Sequence, residues 1–309
     1  MISNASDRAV VVHCHIFKNA GSTFDWSLKR NFGSDFFEYR MRRARPLTAE
    51  MLARIVAENP GVRAISGHGV ALPLAPIPGH VLLPALFIRH PVERAYSVYT
   101  FERHQSEDTR GSLMARKQSF AEYVAWRLTP ESPAILRNYQ TRYCSGMLGK
   151  ARLPVTGTQF KSAMDIIARV ELLGVVDDYD RCMVLFEQVL ARHGLDSDLR
   201  YLHQNAGRYV RGRKWGVLGR VFGSSRELGP FQQIDRGADA TARRAAWVLE
   251  QLGSELAACL VEANQYDLKL YEEVRQRIRR CAEGLGDIQE RIASFRVRCG
   301  ELAQGRKHG

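Results

Sequence analysis

The sequence lacks the features typical of a membrane-spanning, secreted or metal-cluster protein. No apolar run approaches the roughly 18 residues that a membrane-spanning helix needs, and no basic stretch followed by a long apolar one opens the chain. The six cysteines include no C-x-x-C pair, and no cysteine–histidine cluster has the spacing of a zinc site. We therefore expect a cytoplasmic protein with free thiols and no metal, although the even count leaves a disulfide between Cys281 and Cys299 open.

An acidic excess is also absent, since 33 acidic residues face 45 basic ones and the formal charge is +12. This balance favours an anionic partner: a nucleotide, a sulfated or uronic glycan, nucleic acid or an acidic membrane surface. Residues 199–226 hold seven basic residues and no acidic one, which predicts a flexible basic loop or a solvated run of charge. Arg211 and Arg213 are its candidate anion-binding residues, with Arg208, Lys214 and Trp215 beside them.

Short apolar runs alternate with helical patterns along the first two thirds of the chain. The runs predict buried strands at 9–16, 62–66, 84–88 and 172–176. Strands that alternate with helices indicate an α/β fold with a mostly parallel central sheet flanked by helices. The chain is predicted to be helical again from about residue 238, and we divide it into a main domain, 1–277, and a charged, partly helical tail, 278–309.

The connection after the first strand has the composition of a phosphate-binding loop. It reads IFKNAGST over residues 16–23 and leads directly into a predicted helix. The helix N-terminus, the N–H groups after Gly21 and the hydroxyls of Ser22 and Thr23 are candidate donors to an anion, beside the ammonium of Lys18. The order of residues is not that of a Walker A loop, so an ordinary strand-to-helix turn is the alternative interpretation.

A second anion-binding element is predicted where the strand at 84–88 ends. Arg89 lies at its carboxyl end, where open α/β sheets bind ligands, and Ser97 follows about two turns into the next helix. Arg94 is interpreted as a surface partner of Glu93 or Glu102.

Histidines and aromatic residues supply the other candidates. His68 follows the strand at 62–66, so it is expected at the same sheet edge, as a general base or as a structural residue of a glycine-rich turn. His13 and His15 point to one face of the first strand and are interpreted as packing or supporting residues. Three aromatic residues are assigned to the core: Tyr99, Phe101 and Trp126.

Five blocks in this order resemble the sulfotransferases that use 3′-phosphoadenosine 5′-phosphosulfate (PAPS), in particular the carbohydrate-acting branch with heparan sulfate 2-O-sulfotransferase and its bacterial relatives. The blocks are HIFKNAGST at 15–23, FIRHPVERAYS at 87–97, NYQTR at 138–142, LHQN at 202–205 and NQYDLKLY at 264–271. The chain departs from the family pattern at three positions, where Phe17, Asn19 and His90 stand in place of the more frequent Pro, Thr and Asp or Asn.

The resemblance implies a P-loop-like three-layer fold and transfer of a sulfuryl group from PAPS to a hydroxyl, with 3′,5′-ADP as product and no metal. It assigns catalysis to Lys18 and His68, and the 3′-phosphate to Arg89 and Ser97. The 5′-phosphosulfate is assigned to the loop residues Lys18, Asn19, Ala20, Gly21, Ser22 and Thr23. The expected acceptor is a carbohydrate and not a nucleic acid, and peripheral contact with a membrane stays open. The alternatives are an ATP-dependent small-molecule kinase and a non-catalytic polyanion binder.

Overall fold

The protein is described by a computed structural model that covers residues 7–40, 46–148, 153–202 and 238–305. The candidates Arg211 and Arg213, with Arg208, Lys214 and Trp215, lie outside the described residues, as does most of the LHQN block.

A five-stranded sheet forms the centre of the molecule, and all of its strand pairs are parallel. The strands are β1 (Arg8–Cys14), β2 (Phe36–Glu38), β3 (Ala64–Gly67), β4 (His80–Ile88) and β5 (Leu172–Val175), in the spatial order β2-β3-β1-β4-β5. Most of β1 is buried, as its apolar composition predicts for a central parallel strand. The predicted α/β class is therefore confirmed, and the carboxyl ends of β1, β3 and β4 meet at one edge.

Helices flank the sheet and form the C-terminal part. They are α1 (Gly21–Phe32), α2 (Ala49–Glu58), α3 (Pro91–His104), α4 (Arg110–Lys117), α5 (Phe120–Leu128), α6 (Tyr139–Cys144), α7 (Gly157–Ile167), α8 (Tyr179–Arg192), α9 (Ala238–Glu250), α10 (Ser254–Ala263), α11 (Gln265–Glu283) and α12 (Ile288–Gly305). Ser119 and Glu122 cap α5 reciprocally, as their spacing predicts. In the described ranges, no helix combines the length and apolarity that a membrane span requires.

A second, smaller core lies between α3, α5, α9 and α10. Tyr99 is buried in this core, and the half-buried Trp126 packs against the core. Both core predictions are therefore confirmed. The same region buries an ion pair between Arg127 and Glu102, whose carboxylate also accepts the hydroxyl of Tyr123. Removing one partner of such a pair leaves the other charge buried without compensation, so the pair acts as one unit.

The segment predicted as a charged tail packs on the main core. Phe295 of α12 is fully buried against the residues that line the central sheet. Ion pairs from Arg296 to Asp180 and from Arg298 to Glu187 join α12 to α8 at 2.8 and 2.7 Å.

All six cysteines are free thiols, so Cys281 and Cys299 do not form a disulfide.

Candidate anion-binding and acid–base site

The loop between β1 and α1 presents a helix N-terminus without a side-chain cap. Lys18 and Ala20 adopt left-handed backbone conformations, with φ values of 66° and 59°. Left-handed residues in such a turn aim successive N–H groups into a concave surface that suits an anion. The N–H of Thr23 donates to Ala20 O at 3.0 Å, so Gly21 and Ser22 are the better backbone donors to a ligand.

The ammonium of Lys18 lies 4.6 Å from the centre of the Phe101 ring. Burial, together with the nearby positive charges of Arg89 and Arg94, lowers the pKa of Lys18 to about 8. Within the part of the chain that the structure describes, no carboxylate forms an ion pair with it. Phe101 is half-buried and packs edge-on against Phe17 at 5.3 Å, so this predicted core ring also forms a wall beside Lys18.

Arg89 lies at the same edge of the sheet as Lys18. Its Nη1 donates to the backbone carbonyl of Lys18 at 3.2 Å, while its Nε lies 3.7 Å from the carboxylate of Glu93. Arg244 pairs with the same carboxylate, so one acid serves two guanidinium groups. The structure therefore places a surplus of positive charge beside the loop. Ser97, the other predicted residue of this element, is half-buried two turns into α3.

Arg94 is a buried residue of the site and not a surface partner of Glu93 or Glu102, so the sequence interpretation was wrong. Its Nε donates to Phe17 O at 3.0 Å, and its Nη1 donates to Ile135 O at 2.7 Å. Both glutamates already pair with other arginines. The guanidinium of Arg94 instead holds the backbone of Phe17, at the start of the loop.

Asn19 supports the loop from the core, because its side chain is directed inward and its N–H donates to Ile16 O at 3.2 Å. The Nδ2 atom donates to Phe87 O at 2.6 Å and to Gln140 Oε1 at 2.7 Å. The same Gln140 accepts the N–H of Arg89 and donates to its carbonyl, both at 2.8 Å. One buried amide therefore connects the two predicted anion-binding segments.

The NYQTR and NQYDLKLY blocks contact each other and support that amide. Asp267 accepts the N–H groups of Gln140 and Thr141 at 3.0 and 2.7 Å. In return, Asn138 Oδ1 accepts the N–H groups of Tyr266 and Asp267 at 2.9 and 3.1 Å. These blocks thus hold α6 and α11 together behind the site.

His68 stands immediately after β3, beside the loop. Its Nδ1 lies 2.9 Å from the carbonyl oxygen of His15, and a carbonyl only accepts, so Nδ1 carries the proton and Nε2 a lone pair. The two imidazole rings lie 3.9 Å apart. Desolvation of the ring and the neighbouring His15 lower the pKa of His68 to about 4, so the side chain is neutral at pH 7.

His13 and His15 share one carboxylate, which the sequence analysis missed. His13 Nδ1 lies 2.6 Å from Asp25 Oδ1, and His15 Nδ1 lies 2.9 Å from Asp25 Oδ2. Ser66 bonds both to His13, at 2.9 Å, and to Asp25. Two histidines on one strand face, followed by an acid one turn into the next helix, are the signal that could have identified the cluster.

The same three residues are the ones to test for a metal ion. Their ligand atoms all lie within 4.8 Å of one another. The separation of 2.6 Å between His13 and Asp25 is that of a hydrogen bond, and it is shorter than the about 3.3 Å between two tetrahedral zinc ligands. Hydrogen bonding accounts for this cluster, and the sequence-based expectation of a metal-free activity stays a prediction.

Gly21 has a steric role besides the one expected from the sequence. A Cβ atom at this position would lie 2.1 Å from His15 Cδ2. Only glycine lets the imidazole pack on the first turn of α1, so the loop and the histidine cluster are one packed unit.

Comparison with known proteins yields one distant relative and no functional assignment. No family model matches the chain. An uncharacterized protein of Archaeoglobus fulgidus is 29% identical over 276 residues, which cover 87% of this chain and 96% of the relative. The match therefore extends over nearly all of both proteins.

Proposed function

We propose that this protein transfers a sulfuryl group from PAPS to a hydroxyl group of an acceptor, and that the acceptor is a carbohydrate. The observation that carries the proposal is the hydrogen bond from Arg89 to the carbonyl of Lys18, at 3.2 Å. It brings two cationic side chains and a helix N-terminus to one sheet edge, as a nucleotide with phosphates at both ends requires. The choice of a sulfuryl donor and a carbohydrate rests on the resemblance of the sequence blocks.

The loop residues would bind the 5′-phosphosulfate. The N–H groups of Gly21 and Ser22 donate to phosphate oxygens, aided by the hydroxyls of Ser22 and Thr23. Lys18 stabilises the negative charge that grows on the leaving phosphate oxygen in the transition state. The surrounding cations favour an anion here even before the substrate binds.

Arg89 and Ser97 would bind the 3′-phosphate. A guanidinium offers a planar fork of donors to phosphate oxygens, and the acid at Glu93 holds the fork near the loop. This contact would select PAPS over nucleotides that lack the 3′-phosphate. Arg211 and Arg213 remain further candidates for the nucleotide.

His68 would act as the general base. Its Nε2 accepts the hydroxyl proton while the acceptor oxygen attacks sulfur. The new oxygen–sulfur bond forms as the bond between sulfur and the bridging phosphate oxygen breaks, and 3′,5′-ADP leaves with the electron pair. The low pKa of His68 keeps the ring neutral at pH 7, so Nε2 holds a free lone pair. A positioned base contributes about 10²–10⁴-fold to the rate, and the lowered basicity places His68 towards the lower end of that range.

Calorimetry with 3′,5′-ADP and AMP tests the donor site, and radiolabelled PAPS with a panel of glycans tests the transfer. We expect 1:1 binding of 3′,5′-ADP that AMP does not match. Arg89→Ala should weaken the binding of 3′,5′-ADP much more than the binding of AMP. Arg279→Ala, which removes an exposed arginine of α11, should change neither affinity. A protein that binds no 3′,5′-ADP is not this enzyme, and tighter binding of ATP would favour the kinase.

A further inference from the structure

The carboxylate of Asp25 is ionised and fully engaged. Burial raises its pKa, but the charges and hydrogen bonds of His13 and His15 outweigh burial and hold the pKa well below its usual range. An ionised carboxylate only accepts hydrogen bonds, so the Nδ1 atoms of both histidines carry protons. Asp25 therefore keeps a proton on Nδ1 of each ring.

His15 is held from three directions. Asp25 accepts its Nδ1–H at 2.9 Å, and the first turn of α1 packs on its ring at Gly21. Its backbone N–H donates at 3.3 Å to Gly67 O, at the end of β3. The ring has little freedom left, and it is almost completely buried.

His68 depends on His15 for its hydrogen bond and for its nearest ring contact, while the ring of Phe17 lies edge-on at 6.2 Å. The carbonyl of His15 accepts the Nδ1–H of His68, and the His15 ring forms the surface on which the His68 ring lies. An exposed histidine without these contacts would rotate and exchange tautomers. The other charged groups that act on His68 are Asp25 and Glu38, and both favour its protonated form.

We propose that Asp25 is a positioning residue: by holding the ring of His15, it keeps the ring of His68 in the orientation in which Nδ1–H meets the His15 carbonyl and Nε2 is available as a base. This inference rests on the proposed function for its catalytic meaning, but the arrangement of the three residues is testable without turnover. His13 shares the carboxylate, and its ring stacks on the ring of His15, with the two ring centres 5.1 Å apart.

Asp25→Asn is the variant that tests the proposal, because an amide cannot accept from both imidazoles in the same way. The nitrogen-15 shifts of the histidine side chains report the tautomer of His68. We expect the Nδ1–H tautomer in the wild type and a mixture with the Nε2–H tautomer in Asp25→Asn. Asp287→Asn, which removes an exposed carboxylate that pairs with Arg291, should leave the His68 signals unchanged.

Kinetics give the second readout if the protein is active. Asp25→Asn should lower kcat by about 10–100-fold, less than the about 10²–10⁴-fold expected for loss of the base, with KM for PAPS and the affinity for 3′,5′-ADP unchanged. A folded Asp25→Asn protein with the wild-type His68 tautomer would overturn the proposal. If that variant does not fold, Asp25→Glu takes its place, because it keeps the negative charge but moves the carboxylate. The tautomer of His68 and the value of kcat then decide in the same way. Absence of any turnover in the wild type would count against the proposed function and leave the tautomer result standing.

Discussion

Asn19 donates its side-chain amide to Gln140 at 2.7 Å, across 121 residues of sequence. Gln140 in turn bonds to both backbone groups of Arg89. The loop after β1 and the end of β4 are therefore fixed to the same buried side chain. This shared support fixes the relative position of the two positively charged elements.

We expect Gln140→Leu to destabilise the protein and to disorganise the site. The substitution keeps the volume but leaves the buried N–H of Arg89 without its acceptor, at about 1–3 kcal/mol for each group that loses its partner. Urea unfolding measures the loss. Gln276→Leu, at an exposed glutamine of α11, should stay within about 0.5 kcal/mol of the wild type, and equal effects of the two substitutions would refute the role given to Gln140.

Gly21→Ala should lower both stability and anion affinity. The added methyl would meet His15 at 2.1 Å, and the shift needed to relieve such overpacking costs about 1–3 kcal/mol. Gly300→Ala is the matched helical control, since a Cβ there meets nothing within 4 Å. It should be neutral or stabilising, because alanine has the higher helix propensity. Thermal unfolding and 3′,5′-ADP titration check both, and two variants of equal stability would contradict the packing argument.

Lys18 should make stability depend on pH in the alkaline range. Its pKa is about 8 in the folded protein and about 10.4 in an unfolded chain. Between these values the unfolded chain binds more protons, so Lys18 makes the free energy of unfolding rise with pH. The sign follows from burial, which costs most when the amine is charged.

Lys18→Met should therefore raise the free energy of unfolding at pH 7, and its advantage over the wild type should shrink as the pH rises from 8 to 10. Urea unfolding at several pH values measures this. Lys29→Met removes an exposed lysine near the end of α1. This control should keep the wild-type dependence of the free energy of unfolding on pH. A constant difference between Lys18→Met and the wild type would show that Lys18 is not perturbed.

Phe295→Ala should destabilise the whole domain, because α12 covers the core. Removal of a fully buried phenylalanine costs about 3–5 kcal/mol. Val297, two residues further on the same helix, is 61% exposed, so Val297→Ala should change the free energy of unfolding by less than about 0.5 kcal/mol. Chemical denaturation compares them, and a Phe295→Ala protein as stable as its control would mean that the segment from residue 278 does not support the core.

Much of the fold could be predicted because buried parallel strands are short, continuous apolar runs. The strands at 9–16 and 84–88 agree with the structure to within a few residues. Other elements had no such signal. The strand Phe36–Glu38 has three residues and pairs along one side only. The helix Tyr139–Cys144 has six residues and begins after Asn138, which adopts a left-handed conformation.

Candidate site residues were predictable where the topology brings strand ends together. Lys18, Arg89 and His68 each follow a strand of the parallel sheet, so their meeting at one edge needs only the strand order. Arg94 was misjudged because sequence spacing offered nearby acids, whereas the folded chain offers backbone carbonyls from two other segments.

The sequence by itself determined an α/β chain with cationic residues after its first strand and at the end of the strand at 84–88, because those properties are local and follow from side-chain type and spacing. Only the tertiary structure decided that Asp25 joins His13 to His15, that His15 carries His68 from 53 residues away, and that Gln140 fixes both cationic segments. Such contacts depend on which strands lie side by side and how closely a helix packs on them, and no period in the sequence records either.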